Sequence, residues 1–238
     1  MPLNINGTTG ISGVDGSVSA PAVTGTDSNT GITFPSADTI KFSTGGVERM
    51  AITNSGVTGA FNPSSNVVLE QFLTYADGTA VSTKKGSVAI QNVTAKQDVS
   101  TTHTDVTGSS ITYEPPDGCS LVIYKFICSM TAVDNYSILH FKFLIDGTDI
   151  TGSRTSFRNG VAADEDVVIY EWPIVIGGST STVTGRQATW SGTKTLKLQV
   201  REFNSSYEAD LHQVSLWDGA STTFLRTPLL GITAIGTP

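Results

Sequence analysis

Apolar and polar residues alternate with a period of two through most of the C-terminal two-thirds of this chain. Leu139, Phe141, Phe143 and Ile145 share one face of a predicted strand, and Asp146-Gly147 then supplies a hairpin turn. Val168, Tyr170, Trp172, Ile174 and Ile176 do the same and end at Gly177-Gly178. Leu196, Leu198 and Val200 point one way while Lys197, Gln199 and Arg201 point the other. Further strands are predicted over residues 87–93, 111–113, 121–130, 211–217 and 229–235, with Glu114-Pro-Pro-Asp-Gly118 as a strong turn. About eight strands, polar loops and no long helical pattern predict an all-β fold, with a jelly-roll-like β-sandwich head over residues 86–238. The last strand is apolar and is expected inside a sheet.

The N-terminal part reads differently. Ile40 and Phe42 share a face of one short strand and Met50 and Ile52 a face of the next. Thr44-Gly45-Gly46 lies between them, where the glycines supply the positive φ values of a tight turn. A lone hairpin buries too little apolar surface to be stable in water. Ile40, Phe42, Met50 and Ile52 are therefore expected to pack between subunits. Residues 1–31 are rich in Gly, Ser, Thr and Asn with irregularly spaced apolar residues, a segment expected to be flexible by itself. Residues 1–62 form an extended attachment and β-hairpin fibre region on this reading. Asn62-Pro63-Ser64-Ser65-Asn66 is a linker, and residues 63–85 form a neck. Within the neck, Leu69, Phe72 and Leu73 fall at helical spacing, with Ser64 or Ser65 as a cap. The segment fits two turns of helix or one strand, and the helix is the favoured reading.

Charge and composition remove several classes of function. Only 15% of the 238 residues are charged, 38% are hydrophobic, and the net charge is −7. Lys84-Lys85 is the only basic pair, so nucleic acid is not an expected partner. No apolar run approaches the roughly 20 residues that span a bilayer, so membrane insertion is not expected either. The first residues carry no secretory pattern, which leaves cytoplasmic assembly followed by lysis as a route outside. Cys119 and Cys128, nine apart on one predicted strand, are expected to face opposite sides of the sheet and to remain reduced.

Candidate chemistry is sparse. His103, His140 and His212 are isolated in sequence, and His140 alternates with the inward residues of its strand and so faces out. Asp164-Glu165-Asp166 and Asp146-Gly-Thr-Asp149 lack the full ligand spacing of a calcium loop. No catalytic residue, metal ligand or cofactor is expected, and the chain does not read as an enzyme. Trp172 reads as core. Trp190 and Tyr207 lie at turns beside Ser and Asn, where an aromatic ring can either plug the sandwich or stack on a sugar. They are the candidate host-contact residues, with Tyr136 a further aromatic of interest.

Ile40-Lys-Phe-Ser-Thr-Gly-Gly-Val-Glu-Arg-Met-Ala-Ile52 resembles a unit common near the start of marine bacteriophage (cyanophage-type) tail-fibre and related virion proteins. Leu69-Glu-Gln-Phe72, Gly108-Ser-Ser-Ile-Thr-Tyr-Glu-Pro-Pro116, Val122-Ile-Tyr124, Thr184-Gly-Arg-Gln-Ala-Thr-Trp-Ser191 and Ile232-Thr-Ala-Ile-Gly236 are similar to a phage structural module. The resemblance implies a homotrimeric virion protein whose N-terminal end attaches to other virion proteins. Its jelly-roll head would be like those of the tumour-necrosis-factor class. The implied role is a fibre or spike subunit that contacts a host-surface glycan or protein. A capsid-surface decoration protein is the alternative, and a polysaccharide-degrading spike a third. The resemblance carries over no site residues.

Overall fold

A computed structural model of the chain describes residues 4–6, 10–12, 15–59, 67–133, 136–160, 165–217 and 221–236. It divides into two compact units, Met1–Ser64 and Ser65–Thr237. The expected linker at residues 62–66 lies outside the described residues.

In the first unit, short ladders precede a meander. β1 (Asn4–Asn6) pairs β2 (Gly10–Ser12), and β3 (Gly16–Ser17) pairs β4 (Ala20–Pro21). β5 (Val23–Thr24), β6 (Gly31–Thr33), β7 (Ile40–Thr44), β8 (Val47–Thr53) and β9 (Gly56–Gly59) then form one antiparallel sheet. The expected hairpin is its centre. Gly45 and Gly46 turn at φ 59° and 74°, and the register sets Ile40 opposite Ile52 and Phe42 opposite Met50. The four residues share a face that one chain leaves open, with Ile40 and Ile52 36% and 37% exposed. Upstream, side-chain hydrogen bonds shape the turn between β5 and β6. Thr24 Oγ1 donates to Asp27 O at 2.6 Å, and Thr30 Oγ1 donates to Asp27 Oδ2 at 2.6 Å.

The second unit is a two-sheet sandwich. β10 (Val67–Tyr75) is followed by the hairpin β11 (Val81–Thr83) and β12 (Gly86–Val88), then by β13 (Gln97–Asp98), β14 (Thr104–Asp105) and β15 (Ile111–Tyr113). The long strands are β16 (Cys119–Ala132), β17 (Ser137–Ile145), β18 (Thr148–Asn159), β19 (Glu165–Val175) and β20 (Lys194–Glu202). β21 (Ala209–Leu211), β22 (Gln213–Trp217), β23 (Ser221–Leu225) and β24 (Leu229–Gly236) complete it. The first sheet runs β10–β24–β16–β19, with β21 and β13 continuing beside the far end of β16. The second runs β14/β15–β20–β17–β18. With β14 and β15 taken as one interrupted strand and the short strands β11–β13 and β21–β23 left aside, eight strands remain: the first sheet holds the first, eighth, third and sixth of them, and the second holds the second, seventh, fourth and fifth. That is jelly-roll connectivity. The apolar C-terminal strand β24 lies inside the first sheet, as expected.

Residues 67–75 correct the favoured helical reading. They form β10, a strand of the head's first sheet. The ladder with β24 slips between Val68 and Glu70, and the bulge lets both Leu69 and Phe72 pack inward. A second bulge, between Cys119 and Leu121, brings Cys119 against the core alongside buried Cys128. The two therefore do not face opposite sides, but nine residues of strand still hold them roughly 30 Å apart, far beyond disulfide reach. Both are free thiols, and burial pushes the Cys128 thiol up to about 12.

The core lies between the sheets. Tyr124, Phe126, Phe141, Phe143, Ile174, Leu196 and Leu198 are fully buried. The Tyr124 and Phe143 rings sit 4.8 Å apart. Two buried tyrosine hydroxyls find backbone acceptors: Tyr124 Oη donates to Ser109 O at 2.6 Å and Tyr170 Oη to Ser153 O at 2.7 Å. Ser109 Oγ donates to Val106 O and accepts from Leu198 N, tying the lead into β15 onto β20. The preceding Gly108, at φ +83°, has no room for a Cβ, which would stand 2.6 Å from Val93 Cγ2. Phe143→Ala is expected to lower the head's stability by about 3–5 kcal/mol, read from urea unfolding. A loss below about 1 kcal/mol would mean that Phe143 is not packed between the sheets.

Candidate functional site

The two outer faces of the sandwich have opposite chemistry, and strand alternation dictates it. On the first sheet, outward positions of β10, β16 and β19 carry Val68, Leu73, Tyr75, Ile127, Ile169 and Val175. Leu73, Tyr75 and Ile169 are more than half exposed. Across the strands, Tyr75, Leu229, Ile127 and Ile169 stand in one row. The Lys125–Glu171 ion pair, at 3.3 Å, interrupts this surface.

The second sheet turns cations outward. Lys142 on β17, Arg154 and Arg158 on β18, and Lys197 and Arg201 on β20 face away from the core, against Asp105 and Asp149. Asp149 holds Arg154 at 2.8 Å and Lys142 at 3.6 Å. Despite the opposing cost of burial, these cations keep its carboxyl below the ordinary range. Asp105 holds Lys197 at 2.7 Å. Arg158 and Arg201 make no ion pair or hydrogen bond among the described residues.

In this field sit two histidines that are 37 positions apart in sequence. Pairing sets His140 opposite Ser156 on one side and Arg201 on the other. His103, just before β14, places its ring 5.6 Å from that of His140 in an edge-to-face arrangement. His140 Nδ1 lies 3.1 Å from Ser156 Oγ. His103 Nε2 is buried with no hydrogen-bond partner. Burial, then Lys142, His140 and Arg201, push His103 down to about 4. Burial, then Arg201 and Arg154, push His140 down as well.

Next along the same strands, Ile138 pairs with Arg158. These two, with Tyr136, Asn159, Gly160 and Tyr207, line a concavity of about 480 Å³. The Tyr207 ring packs edge-on against Phe203, with centroids 5.6 Å apart.

The two candidate contact residues are not brought together. Trp190 precedes β20 and Tyr207 follows it, so a strand length of roughly 30 Å separates them. Trp190 packs against the core and stands edge-on to Tyr113 at 6.4 Å, the position of a plug. Tyr207 lines the concavity. Trp172 is half-buried against the core, and its Nε1 donates to Thr184 O at 3.0 Å. Of the acidic groups considered for calcium, Asp146 accepts from Lys194 Nζ and Thr195 N, and Asp149 is ion-paired. Glu165 accepts from Ser215 N, and Asp164 lies outside the described residues. Sequence reading set His103 aside as isolated, placed Arg201 on an outward face without assigning it a role, and passed over Arg158. The available signal was the outward parity of His140 and Arg201 on strands whose other faces are apolar.

No protein-family model matches the chain, and no curated protein matches it in sequence. Among solved structures, it is similar to the infectious bursal disease virus Gx strain structure at 10% identity and a TM-score of 0.32. That match covers 84% of this chain and 47% of the other. It is similar to an exo-beta-agarase at 12% identity and a TM-score of 0.23, over 75% of this chain and 24% of the other. The chain thus spans about half and a quarter of these two proteins, and at such TM-scores neither likeness carries an argument about function.

Proposed function

We propose that the chain is a structural subunit of a virion fibre or spike of the bacteriophage type. It attaches to other virion proteins by its N-terminal region, assembles as a homotrimer and presents its head to the host surface. The observation that carries this reading is the contrast between the sandwich's outer faces, one apolar and one charged. A face with this many exposed Val, Leu, Ile and Tyr side chains calls for a cover. The first unit has the same need at Ile40, Phe42, Met50 and Ile52. A second and third copy of the chain would meet both needs with one kind of partner, in a closed ring. Adhesion then follows from multivalency, since weak contacts repeated over three heads and several fibres gain avidity.

The test is location and competition. Immunogold against the full chain should label fibres on particles, and soluble full-length protein should reduce particle adsorption to host cells. Label absent from particles would overturn the virion reading. Label on the shell without competition would overturn adhesion in favour of capsid decoration.

A further inference from the structure

We infer that the outer face of the β14/β15–β20–β17–β18 sheet is a binding site for an acidic polysaccharide, held between the Tyr136–Tyr207 concavity and the His103–His140–Arg201 cluster. The inference rests on the adhesion reading and names the chemistry of the receptor.

Four observations converge. Arg158 and Arg201 are the cations of this face with no partner among the described residues, and a guanidinium suits a carboxylate or sulfate through two parallel hydrogen bonds. They belong to successive outward rows, Arg158 with Ile138 and Arg201 with His140. The rows are spaced by two residues of strand, about 7 Å, so the site reads charges set at intervals along a chain. His103 Nε2 is a buried orphan at the edge of the second row, and a turn of this partly exposed ring would present it to a ligand oxygen. Tyr136, 55% exposed, and Tyr207 offer ring faces beside Arg158, and the apolar face of a sugar ring packs on such a surface. Net charge chooses among polyanions. A chain of −7 repels a densely charged nucleic acid at long range, whereas a sugar polymer with intermittent acidic groups engages a local cationic row.

The histidines give the site a pH signature. His103 faces Lys142, Arg201, His140 and Asp149, and His140 faces Arg201, Arg154, Lys142 and Asp149. In the free protein, burial and the surrounding cations keep both rings neutral near pH 7. A bound acidic group offsets the cations and raises both pKa values. Affinity therefore gains as pH falls through the bound-state values, and the gain is complete below the free-state values.

The experiment is isothermal titration of the full-length protein with alginate and chondroitin sulfate, with neutral dextran and a double-stranded DNA oligomer, the most densely charged of the four, as comparators. Alginate or chondroitin sulfate should bind, more tightly at pH 5.5 than at pH 7.5, and neutral dextran should not. The Arg158→Gln/Arg201→Gln double variant should weaken binding at least about tenfold, as the loss of two charge-assisted contacts implies. Lys85→Gln, in the turn between β11 and β12, should change nothing, and all variants should keep the wild-type circular dichroism. On saturation, the His103 and His140 resonances should titrate at higher pH. Failure of both acidic glycans to bind, DNA binding as tightly as alginate, or equal weakening by Lys85→Gln would overturn the inference. Cell adsorption separates this from the adhesion reading. If wild type and the double variant adsorb equally, the site is wrong and adhesion stands. If alginate binds but neither protein adsorbs, adhesion is wrong and the site stands.

Discussion

Ile127→Glu is expected to convert a three-chain particle into single folded chains. Ile127 lies on the outer face of the first sheet, between Leu229 on β24 and Ile169 on β19. In a single chain this position is partly exposed and turned away from the core, so a carboxylate there reaches water and the sandwich is spared. Between subunits the same carboxylate would be buried without a cation, a situation that costs several kcal/mol and recurs at each copy of the contact. Sedimentation at micromolar concentration should give three chain masses for wild type and one for the variant, with unchanged near-ultraviolet circular dichroism. Gln199→Glu, on the opposite outer face, should leave the three-chain mass intact. A variant that stays three-chain would show that the apolar face is not the interface, and a wild-type monomer would remove the trimer altogether.

Acidification from pH 6.5 to pH 4 is expected to cost the head roughly 3 kcal/mol through His212 alone. The residue is fully buried and edge-on to Phe126, and burial outweighs the smaller, opposing effect of the Thr107 backbone on its ring. Burial pushes its pKa down to about 4 from the model-peptide value of 6.5. Between those values the unfolded chain binds a proton that the folded chain refuses, so stability falls as pH falls, by about 1.4 kcal/mol per unit. His103 and His140, also pushed down, act in the same direction. Glu202 and Asp210, raised by burial, oppose it near the lower end of the window. Urea unfolding at several pH values measures the slope, and His212→Asn isolates the ring's share. Asn is the replacement of choice because His212 has a φ of +66°, a region Asn tolerates. Equal slopes for variant and wild type between pH 6.5 and 4.5 would show that the ring is not held neutral.

Where burial is one-sided and local, residue order determined the structure. Alternation in β17, β19 and β20 was legible because a period of two is all that a half-buried strand requires, and Gly45-Gly46 and Asp146-Gly147 marked their turns because few other residues accept positive φ there. The sequence also set the character of the second sheet's outer face, since Lys197, Gln199 and Arg201 must follow wherever Leu196, Leu198 and Val200 turn inward. Tertiary structure decided the rest. One extra residue in β10 put Leu69 and Phe72 on the same side of a strand, a spacing that in isolation reads as helix. A similar slip at the start of β16 turned Cys119 toward the core. Only the strand order brought His103 to His140 and set Arg158 and Tyr207 around one concavity, while placing Trp190 at the far end of β20. The physical reason is the same throughout: periodicity records which face of a strand is dry, whereas bulges and neighbours depend on hydrogen-bond partners contributed by distant parts of the chain.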